Sequence, residues 1–336
     1  IPVGLLSIVD IIKIFLKYIF SAKITLQNKY SFKEIDISNL IIDSLKDDYY
    51  KLRSFQAYFE LSIAKKIAKY RPKIFLYIFE NQAWENAYLL TFKDTEIKSI
   101  GYQSSGFSFR FLNFFSSKLD GENALYPDKV LTVGDNFTKA LNEFGEYPIP
   151  VETFGALRFD FPALDGNYMI EKPNLIIFNK ILYAFPVHFY QYEKIIQDLV
   201  DVFGDTKIEV DLKFHPLYKY EAGKINLPDN FNLWNSANNT QLNRMYDLIL
   251  FNYNSYGIEA LIMGVKSYEY DINEVYDDTR LIGFDIYNPK IDKQGLSDLK
   301  NKILSNKLGK DYSKKKISKY ISDMYKVYDG VMIENF

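Results

Sequence analysis

The sequence lacks cysteine and has only two histidines, His188 and His215, among its 336 residues. Disulfide bonds, thiolate metal sites and cysteine nucleophiles are therefore excluded, and two histidines are too few for a metal site that needs several. The chain also lacks an excess of charge of either sign, since 41 basic side chains face 43 acidic ones. A net charge of −2 gives no general attraction to nucleic acid.

Several short motifs are missing as well. The sequence has no Gly-x-Gly-x-x-Gly fingerprint, no Walker phosphate loop and no Gly-x-Ser-x-Gly elbow, so the chemistries that depend on them are not indicated. No Asp-x-Asp pair follows a predicted strand, which argues against sugar transfer that relies on a metal ion held by such a pair. We therefore expect no metal ion and no cofactor.

The apolar stretch from Ile1 to Phe20 is not free of charges. Asp10, Lys13 and Lys17 lie within it, whereas a membrane-spanning helix needs about 20 apolar residues with few or no charges. We interpret the stretch as a buried amphipathic helix. The alternative is a helix that rests on a membrane surface, with its lysine side chains extended toward water.

The sequence does contain 48% apolar residues, enough for a sizeable core. Residues 31–70 carry apolar side chains at helical spacing and predict two helices. After them, short apolar runs alternate with helical patterns, which is typical of parallel, doubly wound α/β sheets. The predicted strands cover residues 74–79, 97–101, 129–133, 151–154, 182–185, 208–213, 231–234, 248–251 and 265–268. The predicted helices of the second half cover residues 190–202, 240–245, 258–263, 296–308 and 315–328.

The length of the chain allows two domains. Residues 159–173 are rich in proline, glycine, aspartate and asparagine, which predicts a domain boundary there. We expect one Rossmann-like domain in residues 1–165, a second in residues 166–312, and a terminal helix in residues 313–336. In such sheets, ligands bind beyond the carboxyl ends of the strands, so polar residues at those ends are the site candidates.

One polar strand end in the second half contains Lys213 and His215. Both lie on one face at the end of strand 208–213, and Pro216 follows them. An ammonium group and an imidazole at this place suit an anion such as phosphate, although a lone His-Pro step also occurs where histidine only caps a loop. We expect this end to form one ligand site with the end of strand 248–251, as the tips of two adjoining strands.

That second strand end is the turn Asn254-Ser255-Tyr256-Gly257, which opens a helix. The first N–H groups of a helix and its dipole favour phosphate, and the Ser255 hydroxyl adds a donor. An ordinary N-cap by Asn254 or Ser255 is compatible with the same role. Glu259, one turn further along, either binds two ribose hydroxyls or closes a capping box.

In the first half, Glu80 ends strand 74–79, which we expect to be buried. Burial beside Phe79 and Trp84 would raise the pKa of the Glu80 carboxyl group toward neutrality, as suits a base that accepts a proton from a hydroxyl group. Glu85 follows in the first turn of a helix, where a carboxylate also interacts favourably with the helix dipole.

Further candidates for contacts with a sugar or an acceptor lie at the ends of neighbouring strands. Gln103 is suited to sugar hydroxyls and Arg158 to a substrate carboxylate. A polar loop and a surface ion pair are the structural alternatives. The full set is Gln82, Glu85, Gln103, Ser104 and Arg158.

These motifs resemble those of bacterial GT-B transferases that use CMP-activated acidic sugars, namely the sialyltransferase-like and Kdo-transferase-like enzymes. Lys213-Phe214-His215-Pro216 is similar to their His-Pro motif, and Asn254-Ser255 to their serine-containing motif. The blocks 80–85, 101–104 and 155–158 also resemble surface-carbohydrate biosynthesis proteins. The chain departs from the family where the paired serine is replaced by Asn254-Ser255 or by Ser255-Tyr256, which changes the second phosphate donor.

The resemblance implies a GT-B fold, in which two Rossmann-like domains face a central cleft. It implies a metal-independent glycosyltransferase with an acceptor-binding first domain and a nucleotide-sugar-binding second domain. Glu80 and His215 would be catalytic, while the donor phosphate would be held by the histidine and the serine turn. The implied partners are a CMP-linked ulosonic acid and a glycan acceptor of lipopolysaccharide or capsule biosynthesis, in the cytoplasm or at the inner face of the cytoplasmic membrane.

Two alternatives stay open at this point. One is a polyol-phosphate transferase that uses CDP-glycerol, whose serine motif we expect to continue into aspartate. Here the motif continues into Glu259-Ala260-Leu261, which favours the sugar transferase. The other is a non-catalytic GT-B-like subunit that only binds glycans.

Overall fold

The computed structural model describes residues 3–20, 29–118, 124–157, 179–187, 189–217, 226–234, 245–263, 265–272, 290–305, 307, 314–326, 328 and 330. Three helices precede the first large sheet: α1 (Ile8–Phe20), α2 (Ser38–Tyr50) and α3 (Arg53–Lys69). The last two confirm the helices predicted in residues 31–70. A short antiparallel hairpin, β1 (Ser31–Phe32) and β2 (Ile35–Asp36), lies between α1 and α2 and was not predicted.

Most apolar side chains of α1 are exposed. Only Ile14 and Tyr18 are buried, whereas Ile8 and Phe20 are 77% and 80% exposed. The prediction of a buried helix is therefore wrong, because an apolar composition shows that a helix can be covered but not whether it is. None of the described helices is both long enough and apolar enough to cross a membrane.

The first large sheet contains β3 (Ile74–Ile78), β4 (Lys98–Gln103), β5 (Lys129–Thr132) and β6 (Val151–Thr153). These strands are parallel and neighbour each other in chain order. Helices α4 (Ala83–Phe92) and α5 (Asp135–Phe144) lie between them in the chain, and α3 packs against α4. The alternation predicted for this half is confirmed.

β3 lies at the edge of the first sheet and is only partly covered. Tyr77 is buried, but Leu76 and Ile78 are 41% and 53% exposed. Alternate side chains of the strand therefore face solvent, as in a sheet with one open face. The six-residue apolar run predicted a buried strand, and this expectation is wrong.

The second large sheet contains β7 (Lys180–Ala184), β8 (Glu209–Lys213), β9 (Phe231–Leu233), β10 (Leu248–Phe251), β11 (Lys266–Tyr270) and β12 (Lys290–Ile291). Its helices are α6 (Tyr192–Phe203), α7 (Tyr256–Ile262) and α8 (Lys293–Leu304). Short 3₁₀ turns occur at Val3–Leu5, Leu112–Phe114 and Phe189–Gln191. Most of the helix predicted in residues 240–245 lies outside the described residues.

The strand order of the second sheet is β12-β11-β10-β7-β8-β9, and all its described pairs are parallel. The chain starts in the middle with β7, proceeds to one edge through β8 and β9, and then returns to the other side of β7 with β10. The order therefore reverses between β7 and β10. In doubly wound sheets such a topological switch point opens a crevice for ligands beyond the strand ends.

A final helix, α9 (Lys314–Met324), links the two halves of the molecule. It contacts α5 beside the first sheet and α7 beside the second. Just after it, the N–H group of Lys326 donates to the carbonyl oxygen of Val133 (2.8 Å), at the end of β5. Gly134 permits this close approach, because a Cβ atom there would overlap the carbonyl oxygen of Met324. The end of β5 and helix α7 therefore both lie near α9.

The domain limits themselves stay predictions. The first sheet ends at Thr153 and the second begins at Lys180. The expected boundary in residues 159–173, with its division at residue 165, lies outside the described residues.

Candidate functional site

The turn after β10 is fastened to the end of β7 by Asn254. Its Nδ2 donates to the carbonyl oxygens of Ala184 and Asn252 (both 3.0 Å), and its Oδ1 accepts the N–H group of Tyr256 (3.0 Å). Tyr253, just before it, has a φ of 52°, a value that non-glycine residues seldom adopt. Asn254 therefore shapes the turn at the switch point, and a direct contact with a nucleotide would compete with these bonds.

Ser255 and Glu259 are joined across the first turn of α7. The Ser255 Oγ donates to Glu259 Oε1 (3.1 Å), and Ser255 forms no side-chain cap on the helix. Glu259 therefore does not close a capping box, which was one of the two roles predicted for it. The N–H groups of Ile258 and Glu259 donate to the carbonyl oxygen of Ser255. The N–H group of Tyr256 donates to Asn254 Oδ1. Three N–H groups at the start of α7 therefore already have acceptors, which weakens the prediction that they bind phosphate.

Gly257 has a packing role that the sequence did not reveal. A Cβ atom at this position would overlap the ring of Phe251, which is 1% exposed. The Gly257 carbonyl oxygen also accepts the hydroxyl of Ser267 (2.7 Å). Glycine therefore lets α7 lie directly on β10, which fixes where the turn sits above the sheet.

Lys213 is half-buried at the end of β8. Its Nζ lies 3.8 Å from the ring centroid of Trp234 and 5.1 Å from that of Tyr256. Within the part of the chain that the structure describes, its ammonium group makes no hydrogen bond or ion pair. Burial lowers the pKa of Lys213, and the negative charge of Glu259 acts in the opposite direction. A cation that rests on two aromatic faces and lacks acceptors is suited to bind an anion.

Asp211, two residues before Lys213, does not neutralise it. The Asp211 carboxylate accepts the hydroxyl of Tyr246 (2.6 Å) and forms an ion pair with Lys180 (3.1 Å). The partners of the Asp211 carboxylate therefore lie near the amino ends of β7 and β10, away from Lys213. Among the described residues, no group of three or more histidine, aspartate or glutamate side chains is arranged to hold a metal ion.

His215 is half-buried just beyond β8, and Pro216 after it is exposed. The His215 Nδ1 accepts the N–H group of Leu217 (3.3 Å). In a neutral imidazole the proton is then carried by Nε2, which can donate to an anion.

The two predicted walls of the site do not lie on adjoining strands. β7 lies between β8 and β10, so the strand ends that carry His215 and the 254–257 turn are about 10 Å apart. The expectation of neighbouring strand tips is wrong because the chain reverses its order at β7. Lys213 bridges the gap, since its Nζ reaches the ring of Tyr256 at the start of α7.

The buried carboxylate of the first half is Glu85 and not Glu80. Glu80 is exposed, whereas Glu85 is only 2% exposed. One oxygen of Glu85 accepts the N–H groups of Glu80 and Gln82 (both 2.9 Å), and the other is buried and has no hydrogen-bond partner among the described residues. Burial raises the pKa of Glu85 to about 7, and the two N–H groups oppose this shift. The burial that the sequence assigned to Glu80 is therefore found at Glu85, and with it a raised pKa of the Glu85 carboxyl group.

Glu80 nevertheless lies on a well-fixed loop. The Asn81 side chain donates to the carbonyl oxygen of Asn113 (2.8 Å), and the Asn113 side chain donates to the carbonyl oxygen of Glu80. The Glu85 carboxylate also accepts the N–H groups of Glu80 and Gln82. The backbone of residues 80–82 is therefore fixed by hydrogen bonds to both Glu85 and Asn113. The exposed Glu80 carboxylate thus projects from a rigid support.

The other residues predicted to contact a sugar differ in whether their side chains are exposed or buried. Gln103 is fully buried, its Oε1 accepts the N–H group of Val133 (3.3 Å), and its Nε2 donates to Ser105. It links the ends of β4 and β5, which contradicts a contact with sugar. Gln82 is exposed and Ser104 is partly exposed, whereas Arg158 lies outside the described residues.

Trp234 was missed by the sequence-based reasoning. Its backbone N–H group donates to the carbonyl oxygen of Leu212 (3.0 Å), which continues the pairing of β9 with β8. This pairing brings the indole ring beside Lys213. The available signal was its place at the end of a predicted strand, in a chain with only two tryptophans.

Comparisons with known proteins identify the architecture. No protein-family model matches the chain, and no curated protein sequence matches it either. The glycotransferase of kitacinnamycin has a similar structure, with a TM-score of 0.51, 14% identity, and coverage of 90% of this chain and 81% of that one. The fold is GT-B. The calicheamicin glycosyltransferase is also similar, with a TM-score of 0.50, 11% identity, and coverage of 92% and 84%.

The GT-B fold confirms the predicted architecture of two Rossmann-like, parallel-sheet domains facing a cleft. At such low identity, the likeness to these two glycosyltransferases establishes the fold alone. The roles of individual residues rest on the geometry around Lys213, the 254–257 turn and Glu80.

Proposed function

We propose that this protein is a glycosyltransferase that moves an acidic, ulosonic sugar from a CMP-linked donor to a bacterial surface glycan. The proposal rests on the ammonium group of Lys213, which forms no ion pair with any described residue and lies beside the ring of Tyr256. It sits at the carboxyl end of a strand next to the switch point, where open α/β sheets bind ligands.

The environment of Lys213 favours a bound phosphate group. Its pKa is lowered because the charged form is poorly solvated. A phosphate oxygen would supply the missing acceptor, and hydrogen bonds to charged groups contribute about 1.5–3 kcal/mol each. The rings of Trp234 and Tyr256 hold the ammonium group in place without neutralising it.

His215 and Ser255 would complete the donor site. The Nε2–H group of His215 offers a second donor to the phosphate. The Ser255 hydroxyl now donates to Glu259 (3.1 Å), and a rotation toward the phosphate would release the Glu259 carboxylate. A carboxylate at that point is suited to accept two ribose hydroxyls of the nucleotide.

The transfer step uses both halves of the molecule. The oxygen of an acceptor hydroxyl forms a bond to the anomeric carbon, and the bond from that carbon to the phosphate oxygen breaks. Glu80 accepts the proton of the hydroxyl, and the departing CMP keeps the bonding electrons. Lys213 and His215 stabilise the charge that develops on the phosphate, which is where most of the rate enhancement arises.

The CMP-linked donor is supported by the likeness of Lys213-Phe214-His215-Pro216 and Asn254-Ser255 to the motifs of CMP-sugar transferases. A transferase that uses CDP-glycerol would also release CMP. Binding of the free nucleotide therefore separates cytidine donors from other classes, whereas turnover is needed to separate these two donors.

The test is a thermal-unfolding screen with CMP, CDP, UDP and GDP, followed by incubation with CMP-ulosonate or CDP-glycerol. We expect CMP to raise the unfolding temperature most, by an amount equivalent to about 2.7 kcal/mol when its concentration is a hundred times Kd. We expect only CMP-ulosonate to be turned over. Preferential stabilisation by UDP or GDP, or turnover of CDP-glycerol alone, would contradict the proposed donor.

A further inference from the structure

The exposed side of α1 is a large apolar surface. Eight of the 13 residues of the helix are large apolar side chains that are at least 39% exposed. Ile8, Ile12, Phe15 and Ile19 are among them. A water-facing helix would normally carry polar residues at such positions, so this surface is suited to a medium other than water.

The exposed side chains form one continuous arc. Since successive residues of an α-helix are turned by about 100°, they cover roughly half of the helix circumference. The packed edge on the opposite side is narrow and contains Ile14 and Tyr18.

Polar contacts fix which side of α1 faces outward. The Asp10 carboxylate forms an ion pair with Lys66 of α3 (2.6 Å) and accepts the hydroxyl of Ser7 (2.7 Å). Further along, the Tyr18 hydroxyl donates to the carbonyl oxygen of Tyr49 (2.9 Å). Because these contacts all lie along the packed edge, the apolar arc is held in a defined orientation.

The charges of α1 complete the pattern. Lys13 and Lys17 are exposed and lie one turn apart, at the border between the apolar arc and the packed edge. The one acidic residue of the helix, Asp10, is paired with Lys66. An apolar arc with a basic border complements an anionic lipid surface, where apolar side chains enter the acyl boundary and lysines contact phosphate groups.

We propose that α1 docks the protein on an anionic phospholipid surface while lying parallel to it. The 13-residue helix is about 20 Å long, which is shorter than the roughly 30 Å apolar core of a bilayer. It therefore rests in the interface between water and lipid. This proposal is independent of the transfer chemistry, since no residue of α1 belongs to the candidate site.

The test is co-sedimentation of the full chain with phosphatidylcholine vesicles that contain or lack phosphatidylglycerol. We expect binding to the vesicles with phosphatidylglycerol. The double variant Ile12→Ser/Phe15→Ser should partition at least about tenfold more weakly, because two side chains that insert into lipid are removed. Lys13→Gln and Lys17→Gln should each reduce binding about fivefold and diminish the preference for phosphatidylglycerol.

Leu304→Ser on α8 is the matched control, since Leu304 is 52% exposed and Phe15 is 53% exposed. It should bind vesicles like the unmodified chain. Circular dichroism should show all these variants folded, because the substituted side chains are exposed. Absence of vesicle binding by the unmodified chain, equal binding by the double variant, or burial of the arc in a dimer that does not bind vesicles would overturn the proposal.

Discussion

At the scale of single residues, the site depends on how each charge is compensated. Asp211 has Lys180 and Tyr246 as partners, so its charge is compensated away from Lys213. Among the described residues, the ammonium group of Lys213 contacts the rings of Trp234 and Tyr256 and forms no ion pair, which suits it to bind an anion. The sequence made Lys213 and His215 candidates because of their place at the end of a predicted strand. It could not identify Trp234, because that contact depends on pairing between strands distant in the chain.

Glu80 and Glu85 show the same limit of local reasoning. The pattern of an apolar strand followed by glutamate suggested burial of Glu80. Burial falls on Glu85 instead, because its side chain turns back over the start of α4 to accept the N–H groups of Glu80 and Gln82. In the sequence, such a contact is visible only as a glutamate three residues after the N-cap residue, here Gln82.

The raised pKa of Glu85 predicts a pH-dependent contribution to stability. Because its folded-state pKa of about 7 lies above the ordinary value of 4.5, the folded protein binds this proton more tightly than the unfolded chain. The contribution is therefore most favourable below pH 4.5, declines between pH 4.5 and 7, and is constant above pH 7. The total change amounts to about 3 kcal/mol.

Urea unfolding of the unmodified chain and of Glu85→Gln between pH 5 and pH 8 measures this contribution. Glutamine keeps an acceptor for both N–H groups but cannot ionise. We expect the variant to gain stability relative to the unmodified chain as pH rises through this range. A Glu85→Gln profile parallel to that of the unmodified chain would show that Glu85 does not titrate near pH 7.

At the scale of helices and strands, periodicity predicted most elements of both sheets. It did not predict what covers each element. The run 74–79 became an edge strand with Leu76 and Ile78 exposed, and α1 became a helix with its apolar side outward. Coverage depends on neighbours that are distant in the chain, so a local pattern cannot determine it.

The contact of α7 with β10 gives a prediction at this scale. Gly257→Ala places a methyl group against the ring of Phe251, which is almost fully buried. We expect a loss of about 1–3 kcal/mol in the free energy of unfolding, as is usual for overpacking. The displaced helix should also weaken nucleotide binding, because the 254–257 turn begins α7.

Denaturant unfolding measures the loss, and Gly4→Ala is the control. A Cβ atom at Gly4 has no neighbour within 4 Å, so this substitution should change stability by less than about 0.5 kcal/mol. If Gly257→Ala is as stable as the unmodified chain, close packing is not the reason for glycine at this position.

At the scale of the whole molecule, α9 joins the two halves near the candidate site. Its contacts with α5 and α7, and the bond from Lys326 to Val133 beyond it, bring the end of β5 and helix α7 to a common helix. The sequence predicted two α/β domains and a terminal helix. It could not predict this joint, because the close approach at Gly134 depends on residues that are about 190 positions away in the chain.

The central claim for the whole molecule is that Lys213 binds the phosphate of a cytidine nucleotide. Calorimetric titration of CMP into the unmodified chain, Lys213→Gln and Lys207→Gln tests it most directly. Lys207 is exposed and lies two residues before the start of the strand that carries Lys213. We expect CMP to bind the unmodified chain and Lys207→Gln equally, and Lys213→Gln about ten- to a hundredfold more weakly. Equal affinity of Lys213→Gln, or no binding of CMP by the unmodified chain, would contradict the claim.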